Sequence, residues 1–310
     1  MPFVTKDFTL HSPKKSFLFV MEVLGCTQKE AQRHLDKQRL RQNNLPIGKS
    51  QTIAGNVTLT YFSPTLVKLE PIFVTPFFAI YDKPPKMLIH PKGYFEHLTL
   101  SDAFKSDFGK EANPVHRLDY ETSGLVMISR KKRYEASLKA LFAKKQVQKQ
   151  YFAQVLGRVR MPQTIDLPIC VPQRADRHTD LGIRCKISPD GKRSITQITP
   201  IFYDAPSDTT LLNVIPITGR THQIRIHLCH IGHKIIGDCL YGVSDEVARD
   251  YLAQKKQAQD KTPTLMLHAH SLSFAYNNVS YHITSNRTKN TQSSRFQDFL
   301  QWKRVGALLP

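Results

Sequence analysis

The stretch Pro114-Val115-His116-Arg117-Leu118-Asp119-Tyr120-Glu121-Thr122-Ser123-Gly124 runs directly into Leu125-Val126-Met127-Ile128-Ser129. A polar loop that ends in glycine and enters a short apolar run reads as a loop feeding a buried strand rather than as a helix. Asp119 is thereby placed at a strand mouth. For a lone aspartate the ordinary reading is a turn residue whose carboxylate accepts nearby backbone N–H groups. Loops carried on a rigid scaffold are also where chemistry tends to sit.

Working outward, 310 residues suffice to bury a full core and to build more than one domain. The formal net charge of +19 is far more than solubility asks for, and it points to a polyanionic partner, with nucleic acid ahead of an anionic membrane surface. No apolar run approaches the length of a membrane span, and the first residues lack an apolar signal core, so a soluble cytoplasmic protein is expected. The five cysteines are scattered and never spaced as a metal pair, which fits a reducing compartment.

Residues 1–66 read as a small separate unit, 67–76 as a join broken by Pro71 and Pro76, and 77–310 as the main domain. In the first unit Thr27-Gln28-Lys29-Glu30 is a capping-box pattern, predicting a helix that runs to about Arg41 with Ala31 and Leu35 facing inward. Its other face carries Lys29, Arg33, Lys37, Arg39 and Arg41, either as solvated surface or as an RNA contact. Asn43 and Asn44 then mark a turn, and Asn56 to Phe62 alternates as a strand.

In the main domain Phe77 to Tyr81 is an apolar run entering a rigid turn at Lys83-Pro84-Pro85. Tyr134, Leu138, Leu141 and Phe142 form the inner stripe of a helix, with Lys139, Lys144, Lys145 and Lys149 available either as a solvated face or as a phosphate track. Lys149 to Gly157 reads as a strand carrying Tyr151, for which a core position is the usual role. Leu211 to Ile217 is a further strand; after Thr218-Gly219, the run Arg220 to Leu228 takes helical spacing. Strand, glycine turn and helix start together make a place where N–H groups and an arginine converge on an anion. The histidines at 222, 227, 230 and 233 invite a metal reading, which fails because 222 and 227 diverge on a helix and no carboxylate lies in that run before Asp238. Later come a surface helix from Asp245 to about Lys256 and a terminal helix around Phe296, Phe299, Leu300 and Trp302.

His116-Arg117-Leu118-Asp119-x-x-Thr122-Ser123-Gly124 closely resembles the signature of the RluA-type pseudouridine synthases. Gly219-Arg220-Thr221-His222-Gln223-Ile224-Arg225, together with Gly232 to Asp238, is similar to the second signature of that family. Lys83-Pro84 with His90-Pro91-x-Gly93, the Lys149-x-Tyr151 pair, Asp166 to Ile169 and Gly191-Lys192 match lesser landmarks, and Leu265 to Leu272 resembles the closing strand of the family. Capped basic helix, turn and strand in residues 1–66 resemble the alpha-L RNA-binding domain, with Thr27 and Lys29 near the place of its usual Ser-Arg opening.

The resemblance implies an α+β protein with a central mixed, mainly antiparallel sheet flanked by helices, plus a small N-terminal α/β domain. It implies an isomerase acting on uridine in structured RNA, with ribosomal RNA of the large subunit favoured and transfer RNA next, and neither metal nor cofactor. Asp119 would be the catalytic carboxylate, Arg225 would pair with it and orient it, and Tyr151 would stack on the target base and help remove its proton. Arg117, His116, Arg220, His222 and Lys149 would bind the RNA, and one copy of the chain would suffice. The alternatives are a non-catalytic RNA-binding or ribosome-assembly protein on the same fold, and a metal-dependent RNA hydrolase.

Overall fold

The computed structural model describes residues 3–62, 69–91, 98–172, 181–256 and 262–285. The chain divides into two compact units, residues 1–67 with 91–98, and residues 68–90 with 99–310. The helix expected around Phe296 to Trp302, and Gly93, lie outside the described residues.

The first unit runs β1 (Phe3–Lys15), α1 (Ser16–Leu24), α2 (Gln28–Asp36), β2 (Leu40–Gln42), β3 (Leu45–Pro46) and β4 (Thr52–Phe62), with sheet order β1-β4-β2-β3. Thr27 caps α2 as the sequence suggests, its hydroxyl accepting from the Glu30 N–H while the Glu30 carboxylate accepts from the Thr27 N–H. The helix does not reach Arg41. It stops at Asp36, Gln38 turns left-handed at φ 55°, and Arg39 and Arg41 fall on the turn and on β2. Leu40 shows why. A helix burying Ala31 and Leu35 would next bury positions 38, 39 and 42, yet Leu40 is fully buried because the chain has changed to strand.

The second unit opens with β5 (Pro71–Val74), which sits at the edge of the main sheet against β6 (Phe78–Lys83). The stretch expected to be a join is therefore partly strand, and Pro71 is tolerated because it begins an edge strand. Then come α3 (Leu100–Phe108), β7 (Asn113–Pro114), β8 (Ser123–Ser129), α4 (Lys132–Ala143) and β9 (Gln148–Leu156). They are followed by β10 (Gln163–Asp166), β11 (Ile169–Cys170), β12 (Lys186–Ile187), β13 (Ile195–Asp204) and β14 (Thr209–Pro216). The unit closes with α5 (Gln223–His230), α6 (Asp245–Lys256), β15 (Leu267–Tyr276) and β16 (Val279–Thr284).

Ten strands form one sheet, ordered β10-β13-β14-β9-β15-β8-β6-β5 with β16 and β7 as side branches. Every pairing in it is antiparallel except β15 with β8. That parallel join requires Gly124, whose φ is 112° and whose place leaves no room for a side chain: a Cβ there would lie 2.3 Å from the Ala269 carbonyl oxygen. It brings β8, at whose entrance Asp119 lies, next but one to β9, which carries Tyr151. Leu125 to Ile128 are fully buried, as the apolar run suggested.

Candidate active site

A cleft of about 760 Å³ opens where the Asp119 loop, β9 and the turn before α5 meet. Asp119 lines it from the loop and Lys149 and Tyr151 from successive same-face positions of β9, while Arg117, Arg220 and His222 complete its wall. Arg117 and Arg220 are exposed, whereas Asp119 and His222 are half-buried. The Lys149 ammonium rests against Gly219, where even a Cβ would approach it to 3.4 Å, and burial draws its pKa below the usual lysine range. The structure thus gathers Asp119, Tyr151, Arg117, Lys149, Arg220 and His222 around one basic hollow.

Arg225 departs from expectation. Its guanidinium is buried, and Asp238 grips it through two hydrogen bonds, Nε to Oδ2 at 2.8 Å and Nη2 to Oδ1 at 2.7 Å. Glu121 takes the remaining edge, accepting from Nη1 at 3.2 Å. The expected contact with Asp119 is replaced by these two carboxylates, and among the described residues the basic side chain that stands within 4.0 Å of Asp119 is His222. Burial works against the charge on Arg225, but the hydrogen bonds and charge of Asp238, with Glu121 and Asp119 behind, outweigh it and hold the guanidinium firmly protonated. Two residues beyond Asp119, Glu121 also accepts a short hydrogen bond from Tyr251 on α6. Arg225 therefore reaches Asp119 through the backbone of its own loop.

A second anchor holds the loop from the other side. Lys83, fully buried at the end of β6, donates to the carbonyls of Pro84 at 2.9 Å, Met87 at 3.0 Å and Tyr120 at 3.3 Å. An ammonium can be buried where carbonyl oxygens surround it. The Lys83-Pro84 motif so fixes the residue next to Asp119.

The turn before α5 is bolted by Gln223, whose amide is fully used. Its oxygen accepts from the Thr218 hydroxyl at 2.8 Å and the Arg220 N–H at 3.0 Å; its nitrogen donates to the Ile195 carbonyl at 2.9 Å and to Thr196 Oγ1 at 3.0 Å. His222 is the N-cap of α5 in the left-handed region, φ 54°, an arrangement that costs on the order of 1 kcal/mol and tends to occur at working sites.

His116 does not offer a cation to RNA. Its ring stacks on Phe142 with centroids 4.4 Å apart, Nε2 accepts the Met127 N–H at 3.0 Å, and burial, with the charge of Lys149, pulls its pKa down to about 3. It is a neutral brace that turns the Arg117 end of the loop into the cleft. The other histidines scatter: His227 joins Thr196 and the Leu167 carbonyl, and His233 joins the Leu156 carbonyl. Tyr151 is kept protonated by burial and by the nearby charge of Asp119, both of which raise its pKa. Its help with a proton would therefore come from the neutral hydroxyl and not from a phenolate.

Sequence reasoning missed Glu121, Gln223, Tyr251 and Tyr241, whose hydroxyl lies 2.8 Å from His222 Nδ1. Glu121 and Gln223 stand inside the two signatures, so proximity to them was a usable signal; Tyr251 had none beyond a place on an amphipathic helix.

Residues 78–230 match the family described as RNA pseudouridylate synthase. An "Uncharacterized RNA pseudouridine synthase" of Helicobacter pylori is 48% identical over 97% of this chain and 98% of its own. The "Ribosomal large subunit pseudouridine synthase C" of Buchnera aphidicola is 30% identical over 77% of this chain and 76% of its own. Among solved structures, "Human RNA Pseudouridylate Synthase Domain Containing 1" aligns with a TM-score of 0.56 over 76% of this chain and 95% of its own, at 20% identity, a likeness of fold. The chain belongs to the RNA pseudouridine synthases, and within them to the RluA type whose signature surrounds Asp119. It is an isomerase that converts uridine in RNA to pseudouridine.

Proposed function

We propose that Asp119 is the carboxylate that drives this isomerisation, and that the target uridine lies in structured RNA, ribosomal RNA of the large subunit ahead of transfer RNA. The observation that carries the reading is the position of one half-exposed carboxylate in a cleft whose other charged walls, Arg117, Lys149 and Arg220 among them, are cationic. Phosphates bound by these walls would hold a strand across the cleft. The target base, inaccessible in a helix, would be turned out into the hollow, where Tyr151 and Leu267 offer flat and apolar surface.

The exchange is balanced within the nucleotide. The bond from N1 to C1′ breaks, with Asp119 either bonding to C1′ or drawing a sugar proton; uracil turns, C5 bonds to C1′ as the Asp119–C1′ bond breaks or the sugar proton is returned, the proton on C5 leaves, and N1 gains one. No electron carrier is called for, since the exchange is redox neutral. Arg225 and Lys83 contribute by holding the Asp119 loop still. The same reading has the chain act as a monomer in the cytoplasm, where ribosomal RNA is found. The name of the Buchnera relative supports the ribosomal target.

The test is to map pseudouridine in total RNA from cells with the gene, without it, and complemented by Asp119→Asn. One or more sites in large-subunit ribosomal RNA should vanish on deletion and stay absent with the variant. Sites lost from transfer RNA alone would move the target, and sites restored by the Asp119→Asn variant would take the role from Asp119.

A further inference from the structure

His222 and Tyr241 form a hydrogen-bonded pair behind Asp119 that neither the signature's catalytic aspartate nor its arginine accounts for. The Tyr241 hydroxyl lies 2.8 Å from His222 Nδ1 and accepts the Cys185 N–H at 2.9 Å. The rings meet edge on, 80° apart. Tyr241 is itself fixed at its backbone, since its N–H and that of Leu240 donate to Asp238 Oδ1, the oxygen that also grips Arg225. The other ring nitrogen of His222, Nε2, faces Asp119 Oδ1 at 4.0 Å.

These contacts decide where the imidazole proton sits. The Tyr241 oxygen already accepts one N–H, and its single proton needs an acceptor; an imidazole nitrogen at 2.8 Å is a far better one than the neighbouring Cys185 thiol. Nδ1 then accepts, and the proton of the neutral ring falls on Nε2. The facing carboxylate favours the same tautomer, because a lone pair on Nε2 would repel it. Burial lowers the pKa of His222 below 6.5, against the charges of Asp119, Glu121 and Asp238, which raise it, and with that of Arg225, which lowers it further. The left-handed backbone leaves the side chain making no helix cap and free to serve the cleft.

We infer that His222, locked by Tyr241 as the neutral Nε2–H tautomer, is the positioning residue for the Asp119 carboxylate, donating to Oδ1 when a bound uridine draws the two together. Catalytic hydrogen bonds commonly stand long in the empty site and tighten on the substrate. The pair also gives Arg225 a second route to Asp119, through Asp238, Tyr241 and His222. This inference rests on Asp119 being the working carboxylate.

The experiment is single-turnover pseudouridine formation on a saturating uridine-containing transcript of large-subunit ribosomal RNA, with RNA affinity measured in parallel. His222→Gln, which keeps an amide N–H at the place of Nε2, should stay within about 10-fold of the unaltered rate; His222→Asn, which does not reach that place, should fall about 100-fold, the scale of a misplaced reacting group. Tyr241→Phe should fall between them, and RNA affinity should stay within about 3-fold in all three, on the scale of a modest binding loss. Nitrogen-15 spectra of the unaltered protein, with His222 assigned by its absence in His222→Gln, should show Nδ1 bare and Nε2 protonated at neutral pH. Equal rates for the Gln and Asn variants, or a ring protonated on Nδ1, overturn the inference, and the spectra decide it even if His222→Asn misfolds. Asp119→Asn separates the two readings: if it is inactive while both His222 variants match the unaltered rate, only the inference fails; if it is active, the assignment of Asp119 fails first.

Discussion

The two units bury different things. In the first, Ser16 is the one buried polar residue among those described, and the core is Phe19, Val20, Ala31, Leu35, Leu40, Ile47, Ile53, Val57 and Leu59. In the second, Lys83, Glu121, Gln223, Arg225, His227 and Asp238 are all buried, most of them within two hydrogen bonds of the Asp119 loop or the turn before α5. The first unit needs only shape from its interior. The second uses its interior to aim side chains, and every polar group it buries must be met. The cationic residues differ in part along the same line: Lys29, Arg33, Lys37 and Arg41 of the first unit are exposed and available to phosphate, whereas in the second unit Arg117 and Arg220 are exposed in the cleft but Arg225 spends its charge on internal carboxylates.

That contrast can be broken or sharpened by mutation. Arg225→Met should have the largest effect, about 3–5 kcal/mol lost from unfolding free energy, because Asp238 and Glu121 would be left buried without their cation. Urea denaturation would measure it, and a loss under about 1 kcal/mol would show that the network is relaxed by water. Leu59→Ala in the first unit should cost about 2–4 kcal/mol, as cavities in apolar cores do, with amide-exchange protection falling in residues 3–62 and not in the second unit.

Acid should weaken the second unit through His116. Folded, its pKa is near 3, whereas the unfolded chain binds that proton near 6.5, so stability is full above about pH 6.5 and is lost as pH falls towards 3. His116→Gln should flatten this limb by about 1.4 kcal/mol per pH unit, the slope of one proton. An unchanged slope would mean that the ring takes its proton while folded. The smallest effect is expected from Lys29→Ala, Arg33→Ala and Lys37→Ala combined: folding intact, and the log–log salt slope of RNA binding reduced by about 0.7–0.9 for each phosphate that the helix no longer neutralises. An unchanged slope would mark that helix face as solvated surface.

Much of this was legible in the residues. The loop around Asp119 declared itself because Gly124 and the apolar run after it have local causes, and the capping box of α2 is likewise a matter of four neighbouring residues. The partner of Arg225 was not legible, since its carboxylates lie 13 residues downstream and 104 upstream and only folding brings them together. The early end of α2 had a trace, Leu40 out of helical step, while β1 hid in a polar run interrupted by Pro13, near which its pairing with β4 slips register. His116 and His222 sit one in each signature and look alike as symbols. Burial against Phe142 makes one a brace, and a tyrosine 19 residues on directs the other at Asp119.

The central claim, that a single carboxylate carries the bond exchange, is tested most directly by tritium release from RNA labelled at uracil C5, comparing the unaltered protein with Asp119→Asn at saturating enzyme. Release by the unaltered protein, with none above background from the variant at RNA affinity within a few-fold, is the predicted result. Release by the variant at a comparable rate per bound RNA would contradict it.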